Sequence, residues 1–161
     1  MKNQLLILFT LITVLSLTGC RYQKPEKYSI QELSVDSITT VCGTDCSLSD
    51  VNVSTTDKSC SASYQYTDVA DDKGISDAKK YHDYLQSEDK CIKVDAFNEA
   101  DGSYTAYIGN PEVVETNPAS PKEGEEKTVA AGFSLKVTFT KDSYTVTMTD
   151  NVVLDEVIAS Q

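Results

Sequence analysis

The pattern that most constrains the fold is a strict alternation of apolar and polar residues near the end of the chain. Every second residue is apolar from Phe133 to Phe139, and again from Tyr144 to Met148. Successive side chains of a β-strand point to opposite faces, so each run buries one face. The polar break at Lys141-Asp142 is typical of a tight turn. The sequence therefore predicts an antiparallel hairpin with one buried and one solvent-exposed face.

Shorter runs rich in β-branched, aromatic and hydroxylated residues predict the rest of a sheet. They cover residues 28–42 (one or two strands), 51–53, 62–69, 91–97, 103–108, 111–116 and 152–158. The loop before residue 103 contains Gly102, which suits the positive φ of a hairpin loop. We therefore expect a second antiparallel hairpin between residues 91 and 108.

One segment, ending near Glu88, has helical periodicity. Ser76 is a good N-cap, and Asp77 lies in the first turn, where the helix dipole favours a negative charge. Apolar and aromatic residues follow at i, i+3, i+4 and i+7, namely Ala78, Tyr81, His82 and Leu85. The predicted fold class is therefore α+β, a mainly antiparallel β-sheet with one short helix packed on it. The domain spans residues 28–161.

Residues 117–127 are predicted to form a mobile loop within that domain. They contain two prolines, one glycine and three glutamates, a composition that does not support a helix or strand. Loops of this kind are sometimes functional, and an inert insertion is the alternative.

The first twenty residues have a different character from the rest. A short start containing Lys2 precedes an apolar and hydroxylated run from Leu5 to Leu17, which ends in small residues. This arrangement is typical of a cleaved export signal. The run is also shorter than the roughly 20 apolar residues that a transmembrane helix needs.

The run ends in Leu17-Thr18-Gly19-Cys20, which resembles the lipobox of bacterial lipoproteins. The resemblance covers residues 1–20 only. It implies that residues 1–19 are a signal peptide removed before Cys20, and that Cys20 is acylated and anchors the protein in a bilayer of the bacterial cell envelope. Several acyl chains would hold it there effectively permanently. An ordinary secretory signal with an incidental cysteine is the alternative.

Residues 20–27 are predicted to be the lipidated cysteine and a short tether. In the lipoprotein family, an aspartate directly after the cysteine tends to mark retention in the inner membrane of Gram-negative cells. Arg21 stands at that position, so the resemblance favours the outer membrane. A seven-residue tether reaches roughly 25 Å when extended, which keeps the domain close to the bilayer.

The remaining cysteines form an even set, which in an exported chain predicts two disulfides: Cys42, Cys46, Cys60 and Cys91. Three connectivities are open, and we favour Cys60–Cys91 with a local Cys42–Cys46 bond. A four-thiolate zinc site is the alternative, although the spacing does not match paired zinc knuckles. The small domain is thus predicted to be disulfide-stabilised.

The net charge of the chain limits the classes of partner that it is expected to bind. Loss of residues 1–19 removes one lysine, so the mature chain of 142 residues has a net charge of −12 instead of −11. Such a surface repels phosphate backbones, which excludes nucleic acid as an expected partner. A basic protein or peptide suits this charge, and simple solubility is the alternative explanation.

Candidate catalytic chemistry is sparse. His82, the single histidine, lies on the apolar side of the predicted helix, where a packed and hydrogen-bonded role is the more usual one. No nucleophile elbow and no glycine-rich phosphate loop is present. We therefore predict no catalytic residue, no metal and no cofactor.

Three further sets of residues are candidates for binding sites. The carboxylates around Gly74 have calcium-like chemistry without the EF-hand spacing, and a solvated acidic turn is the preferred interpretation. Threonines on the polar face of the terminal hairpin are interpreted as ordinary surface residues, and Tyr64 with Tyr66 as core. The members are Asp68, Asp71, Asp72 and Asp77 for the first set, and Thr138, Thr140, Thr145, Thr147 and Thr149 for the second.

These observations predict a non-enzymatic, membrane-anchored envelope lipoprotein that binds a protein partner near the membrane. A basic enzyme or an assembly component fits the charge. The alternative is a structural or accessory outer-membrane lipoprotein that contacts the cell wall or an envelope complex. A hydrolase or metal-dependent enzyme is the third hypothesis.

Overall fold

A computed structural model describes residues 22–56, 59–109, 115–116, 128–129 and 132–150. The predicted signal peptide with Cys20, the predicted loop at 117–127 and the predicted final strand at 152–158 lie outside these residues. The described strands are β1 Lys27–Ile30, β2 Leu33–Asp36, β3 Ser47–Thr55, β4 Cys60–Thr67, β5 Cys91–Val94, β6 Ser103–Gly109, β7 Glu115–Thr116, β8 Thr128–Val129, β9 Gly132–Phe139 and β10 Tyr144–Asp150. The α-helices are α1 Ile38–Cys42 and α2 Gly74–Ser87.

Six of these strands form one antiparallel sheet in the order β3-β4-β10-β9-β6-β5. The predicted terminal hairpin is confirmed, with Tyr144 opposite Phe139 and Met148 opposite Leu135. The predicted hairpin of β5 and β6 is also present, with a register shift between Cys91 and Lys93. The coarse fold class is therefore as predicted, a mainly antiparallel sheet with one main helix.

The last described strand, β10, lies between β4 and β9 and joins two distant parts of the chain. The Ser63 and Thr147 hydroxyls, 84 residues apart, meet at 3.1 Å across the β4–β10 ladder. The hairpin of β3 and β4 is connected to the rest of the sheet only through β10.

The segment 28–42 contains more than the one or two strands predicted. It forms the β1–β2 hairpin and then α1, a helix that the β-branched run Ile38-Thr39-Thr40-Val41 did not suggest. Its ends are capped locally: the Ser37 hydroxyl accepts a hydrogen bond from Thr40 N, and Gly43 adopts φ +69° at the C-terminus. Two good caps outweigh weak helix propensity in so short a segment.

The core lies between one face of the sheet and a layer made by α2, α1 and the β1–β2 hairpin. Ala78, Tyr81, His82 and Leu85 of α2 are buried, as their spacing predicted. The Tyr28 ring of β1 contacts the Tyr64 and Tyr81 rings at centroid distances of 5.4 and 6.4 Å.

Helix α2 begins three residues earlier than predicted. Lys73 occupies the N-cap position, and the Ser76 hydroxyl donates to the Lys73 carbonyl instead of capping the helix. Gly74 N donates to the Lys141 carbonyl at 2.8 Å, so the start of α2 is held against the β9–β10 turn. A side chain at Gly74 would overlap the Thr140 carbonyl oxygen, and only glycine permits this approach.

Candidate functional site

The predicted tether is partly docked on the domain. Lys24 Nζ donates to the Cys46 carbonyl at 3.1 Å and lies 3.8 Å from Asp45 Oδ1. The Glu26 carbonyl accepts hydrogen bonds from Ser37 N at 2.8 Å and from the Thr40 hydroxyl at 2.9 Å. The chain therefore contacts the domain from Lys24 onward. A lipid on Cys20 would lie within roughly 14 Å of Lys24, at about 3.5 Å per residue.

Lys24 docks beside a group of exposed carboxylates that we call the acidic loop cluster. Its members come from three loops: Asp45, Asp68, Asp71, Asp72 and Asp142. Backbone hydrogen bonds join these loops, since Ala70 N donates to the Asp45 carbonyl at 2.9 Å and Val69 N donates to the Asp142 carbonyl at 3.0 Å. Residues nearly 100 positions apart in sequence thus form one surface.

Local geometry presents these carboxylates to solvent. Asp68, Asp71 and Asp72 have φ values of 55°, 59° and 53°, a region that aspartate tolerates better than most residues. The Thr67 hydroxyl donates to Asp68 and the Thr140 hydroxyl donates to Asp142, at 3.3 and 2.7 Å. Hydrogen bonds within the loops therefore orient the acidic side chains.

Three lysines lie among the five aspartates. Besides the Lys24–Asp45 pair, Lys73 lies 3.0 Å from Asp71, and Lys141 lies 3.6 Å from Asp72. Such exposed pairs contribute little stability. The three lysines leave the cluster with a net charge of −2, which a cationic partner would neutralise.

Asp77, grouped with these carboxylates in the sequence, does not join them. It is buried in α2, and its Oδ2 atom has no hydrogen-bond partner among the described residues. The other three predicted members form a solvated turn, which was the preferred interpretation. No cluster of three or more metal-binding side chains occurs within the described ranges.

The four cysteines of the domain are free thiols in this structure. Cys60 of β4 and Cys91 of β5 are at the same end of the sheet, but β10, β9 and β6 lie between their strands. Four interstrand spacings amount to roughly 19 Å along the sheet, whereas a disulfide requires Cα atoms within about 7 Å. The favoured Cys60–Cys91 bond is therefore wrong, because the strand order separates the two residues.

The other two thiols lie near the core. The Cys42 thiol donates to the Asp77 carbonyl at 3.4 Å, and the Tyr144 hydroxyl donates to Cys46 Sγ at 3.5 Å. Burial raises the pKa of Cys42 to about 12 and the pKa of Cys91 to about 11. Since the thiolate is the nucleophile, Cys42 and Cys91 are weak nucleophiles at neutral pH.

His82 is packed and hydrogen-bonded, as predicted. Its Nε2 donates to the Asp95 carbonyl at 3.0 Å, and its Nδ1 lies 3.3 Å from Asp83 Oδ1. The ring meets the Tyr104 and Phe97 rings edge-on, at centroid distances of 5.1 and 5.7 Å. Both ring nitrogens have partners within the fold, so His82 anchors α2 to the segment after β5.

Tyr64 and Tyr66 belong to the core, as predicted. Buried tyrosine hydroxyls bond to each other and to backbone: Tyr28 with Tyr66 at 3.0 Å, Tyr81 to the Asp36 carbonyl at 2.8 Å and Tyr104 to the Ala78 carbonyl at 2.9 Å. Burial raises the pKa of these hydroxyls above the usual value. They therefore stay protonated: Tyr81 and Tyr104 donate to backbone carbonyls, and in the Tyr28–Tyr66 pair one hydroxyl donates and the other accepts.

The opposite face of the sheet is a polar surface that we call the hydroxyl face. Its rows across β4, β10, β9 and β6 are Gln65–Thr145–Thr138–Ser103, Ser63–Thr147–Lys136–Thr105 and Ser61–Thr149–Ser134–Tyr107. These twelve positions include no carboxylate, although the chain has 25 aspartates and glutamates. Thr138, Thr145, Thr147 and Thr149 are confirmed on this face, whereas Thr140 follows β9 in the turn, where its hydroxyl donates to Asp142.

Sequence reasoning missed Lys24, Asp45 and Asp142 as site residues. Each lies in a separate stretch of polar residues, with no motif that links one to another. Their proximity depends on the backbone hydrogen bonds of the folded loops.

No family model, curated protein or solved structure matches this chain. Neither α1 nor α2, the helices of the described region, is long and apolar enough to span a membrane. Function is therefore inferred from the residues and contacts of the chain itself.

Proposed function

We propose that this protein is a lipoprotein of the bacterial envelope, anchored through acylated Cys20, that binds a basic protein partner at the membrane. The observation that carries the proposal is the docking of Lys24 beside the acidic loop cluster. Because the chain is fixed at Lys24, the lipid anchor and the cluster stay close together. A partner that binds the cluster is then held at the bilayer.

The position of the acidic loop cluster near the bilayer has an electrostatic consequence. Anionic lipid surfaces attract basic proteins, at about 1 kcal/mol for each Lys or Arg near the surface. The Debye length is about 8 Å at physiological ionic strength, so attraction by the cluster is short-ranged. A basic partner concentrated at the membrane would therefore meet the acidic loop cluster within its effective range. Arg21 favours the outer membrane as the location.

The proposal is for a binding protein without catalytic activity or cofactor. The engaged ring nitrogens of His82 and the weakly nucleophilic thiols of Cys42 and Cys91 support it. We further propose that Cys42 and Cys46, four residues apart around Gly43, form a disulfide in an oxidising envelope compartment. That bond would fix the loop that holds Asp45 and receives Lys24.

The hydroxyl face favours a second candidate function, contact with the cell wall. An array of hydroxyls without carboxylates suits hydrogen bonding to an uncharged or weakly anionic glycan. Under this alternative, the protein is a structural or accessory lipoprotein whose open sheet face lies against the wall polymer.

The test is in-cell crosslinking of a tagged, lipidated protein, followed by mass spectrometry. The informative variant changes Asp68, Asp71 and Asp72 to asparagine, which tolerates the same φ region and removes three charges. The matched control removes three exposed charges elsewhere, with Glu32→Gln, Asp50→Asn and Asp89→Asn. We expect capture of a basic partner to be lost in the first variant and retained in the second.

Two further readouts complete this test. Capture in lysate is expected to weaken steeply as ionic strength rises, because exposed charges are screened, and Cys20→Ala is expected to abolish capture in cells. Equal loss in both triple variants would show that net charge matters and the cluster does not. Recovery of only abundant envelope proteins, at the level of an unrelated lipoprotein, would refute partner binding.

A further inference from the structure

The place where Lys24 docks is a preformed site for an ammonium group, which we call the ammonium site. Lys24 Nζ donates to the Cys46 carbonyl at 3.1 Å and lies 3.8 Å from Asp45 Oδ1. Cys46 is buried, and its Sγ accepts a hydrogen bond from the Tyr144 hydroxyl, so the core holds this residue in place. Ala70 N donates to the Asp45 carbonyl, which joins the ammonium site to the rest of the acidic loop cluster.

Lys24 differs from the other two lysines of the acidic loop cluster. Lys73 and Lys141 come from the loops themselves and pair with carboxylates there, whereas Lys24 comes from the tether and also binds a backbone carbonyl. The Lys24 side chain is 37% exposed, compared with 50% for Lys73 and 69% for Lys141. The Asp45 side chain is 96% exposed, so a cation from solvent can reach its carboxylate while Lys24 is still bound.

We propose, as an extension that rests on the proposed function, that Lys24 makes an autoinhibitory contact. It occupies the position that a lysine of the basic partner takes, and partner binding displaces it. With Lys24 in place, the five aspartates and three lysines of the cluster have a net charge of −2, and without Lys24 this becomes −3. A partner with several lysines binds the ammonium site and neighbouring carboxylates together, and linked contacts bind more tightly than single ones. Such a partner therefore displaces the single lysine of the tether.

The geometry of the ammonium site favours lysine over arginine in the partner. Its two acceptors belong to different groups on neighbouring residues, the Cys46 carbonyl and the Asp45 carboxylate. An ammonium group can direct its three N–H donors to separate acceptors, whereas the planar guanidinium fork matches the two oxygens of one carboxylate. We therefore expect the partner to present a lysine-rich segment.

Displacement of Lys24 changes the reach of the lipid anchor. The next fixed point of the tether is the Glu26 carbonyl, which accepts hydrogen bonds from Ser37 N and the Thr40 hydroxyl. The free tether then runs from Cys20 to Glu26 instead of to Lys24, which is roughly 21 Å instead of roughly 14 Å at about 3.5 Å per residue. Partner binding therefore allows the domain to move roughly 7 Å further from the bilayer.

Fluorescent hexalysine is the probe for this contact, and its anisotropy measures binding to residues 20–161 with Cys20→Ser. Lys24→Gln removes the competing ammonium group, and we expect it to tighten hexalysine binding at least threefold. Lys27→Gln is the matched control, because it removes the same charge from a lysine that pairs with Asp36 outside the cluster. Equal affinity of the two variants for hexalysine overturns the autoinhibitory contact.

Release of the tether is measured with a nitroxide label on Tyr22→Cys in the same chain. The parent chain, treated identically, gives the background from the domain thiols. Saturating hexalysine is expected to raise the mobility of the label to that seen with Lys24→Gln, and hexaarginine is expected to raise it less. Unchanged mobility in the hexalysine complex overturns the displacement of Lys24, and equal release by both peptides overturns the preference for lysine.

A triple variant separates failure of this contact from failure of the proposed function. It carries Asp68→Asn, Asp71→Asn and Asp72→Asn. Loss of hexalysine binding in this variant, combined with no effect of Lys24→Gln, refutes the autoinhibitory contact and leaves the acidic loop cluster as the binding site. Absence of hexalysine binding to the parent chain, or binding that the triple variant leaves unchanged, refutes both.

Discussion

The contact between Gly74 and the β9–β10 turn provides a sharp test of how the acidic loop cluster is held. In Gly74→Ala, the new methyl group would overlap the Thr140 carbonyl oxygen and crowd the Lys141 backbone. Neither group can move freely, because Gly74 N bonds to Lys141 and Val69 N bonds to Asp142. The clash is therefore with fixed backbone and not with a flexible side chain.

The expected magnitude combines two opposing effects. Overpacking costs about 1–3 kcal/mol, and weakening of one backbone hydrogen bond costs about 1 kcal/mol. Alanine has a better helix propensity than glycine, by about 1 kcal/mol in a helix interior and less at a first residue. We expect a net loss of about 2 kcal/mol in the free energy of unfolding.

Urea unfolding, followed by circular dichroism, measures this change. Ser87→Ala, at an exposed position in the last turn of α2, is a control for general effects of substitution in the helix and is expected to change stability by less than about 0.5 kcal/mol. The reasoning fails if Gly74→Ala is as stable as the parent protein. That result would mean that the turn moves away easily and that helix propensity dominates.

Three further predictions concern buried groups. Burial raises the pKa of the core tyrosines in the folded state, so the stability that they confer is present below their unfolded pKa near 10 and is lost as the pH rises above it. The urea midpoint is therefore expected to fall between about pH 8 and pH 11, as tyrosinate absorbance appears. A constant urea midpoint would contradict this. After mild reduction, the Cys42 and Cys91 thiols of the folded protein are expected to react with iodoacetamide far more slowly than they do in urea at neutral pH, and equal rates by mass spectrometry would show that they are not protected. His82→Ala is expected to destabilise the fold by about 2–3 kcal/mol, because it leaves a cavity and an unpaired Asp95 carbonyl. Capture of the partner is expected to persist at a temperature where the variant is folded. Loss of capture by the folded variant would count against a purely structural role for His82.

Predictions from the sequence were correct where the local residue pattern agreed with burial in the folded protein. Apolar and polar residues alternate along β9 and β10 because one face of each strand is buried and the other is polar. The sequence pattern therefore reports the burial directly. The apolar positions of α2 were correct for the same reason, although its first residue was not. That error arose because contact of Gly74 with the β9–β10 turn, and not the Ser76 side chain, determines where the helix begins.

Where the sequence failed, the deciding interactions were distant or unrelated to periodicity. The polar edge strand β3 is stabilised by its ladder with β4, so its own composition predicted only residues 51–53. Cys60 and Cys91 are an attractive pair by spacing alone, but their separation follows from the strand order. The acidic loop cluster depends in the same way on backbone contacts between loops that no motif connects.

The place of β10 in the sheet also determines when the fold can form. A chain leaves the ribosome, or a membrane channel, with its N-terminus first, so β3 and β4 emerge long before the strand that attaches them to the rest of the sheet. Until β10 arrives, the edge of β4 that pairs with it has no partner, and the Tyr66 ring lacks its contact with Tyr144. Folding dominated by such long-range pairing is slow and leaves intermediates open to aggregation. The last of the described strands to emerge thus joins the two parts of the sheet, and a chain truncated before Tyr144 would lack this connection.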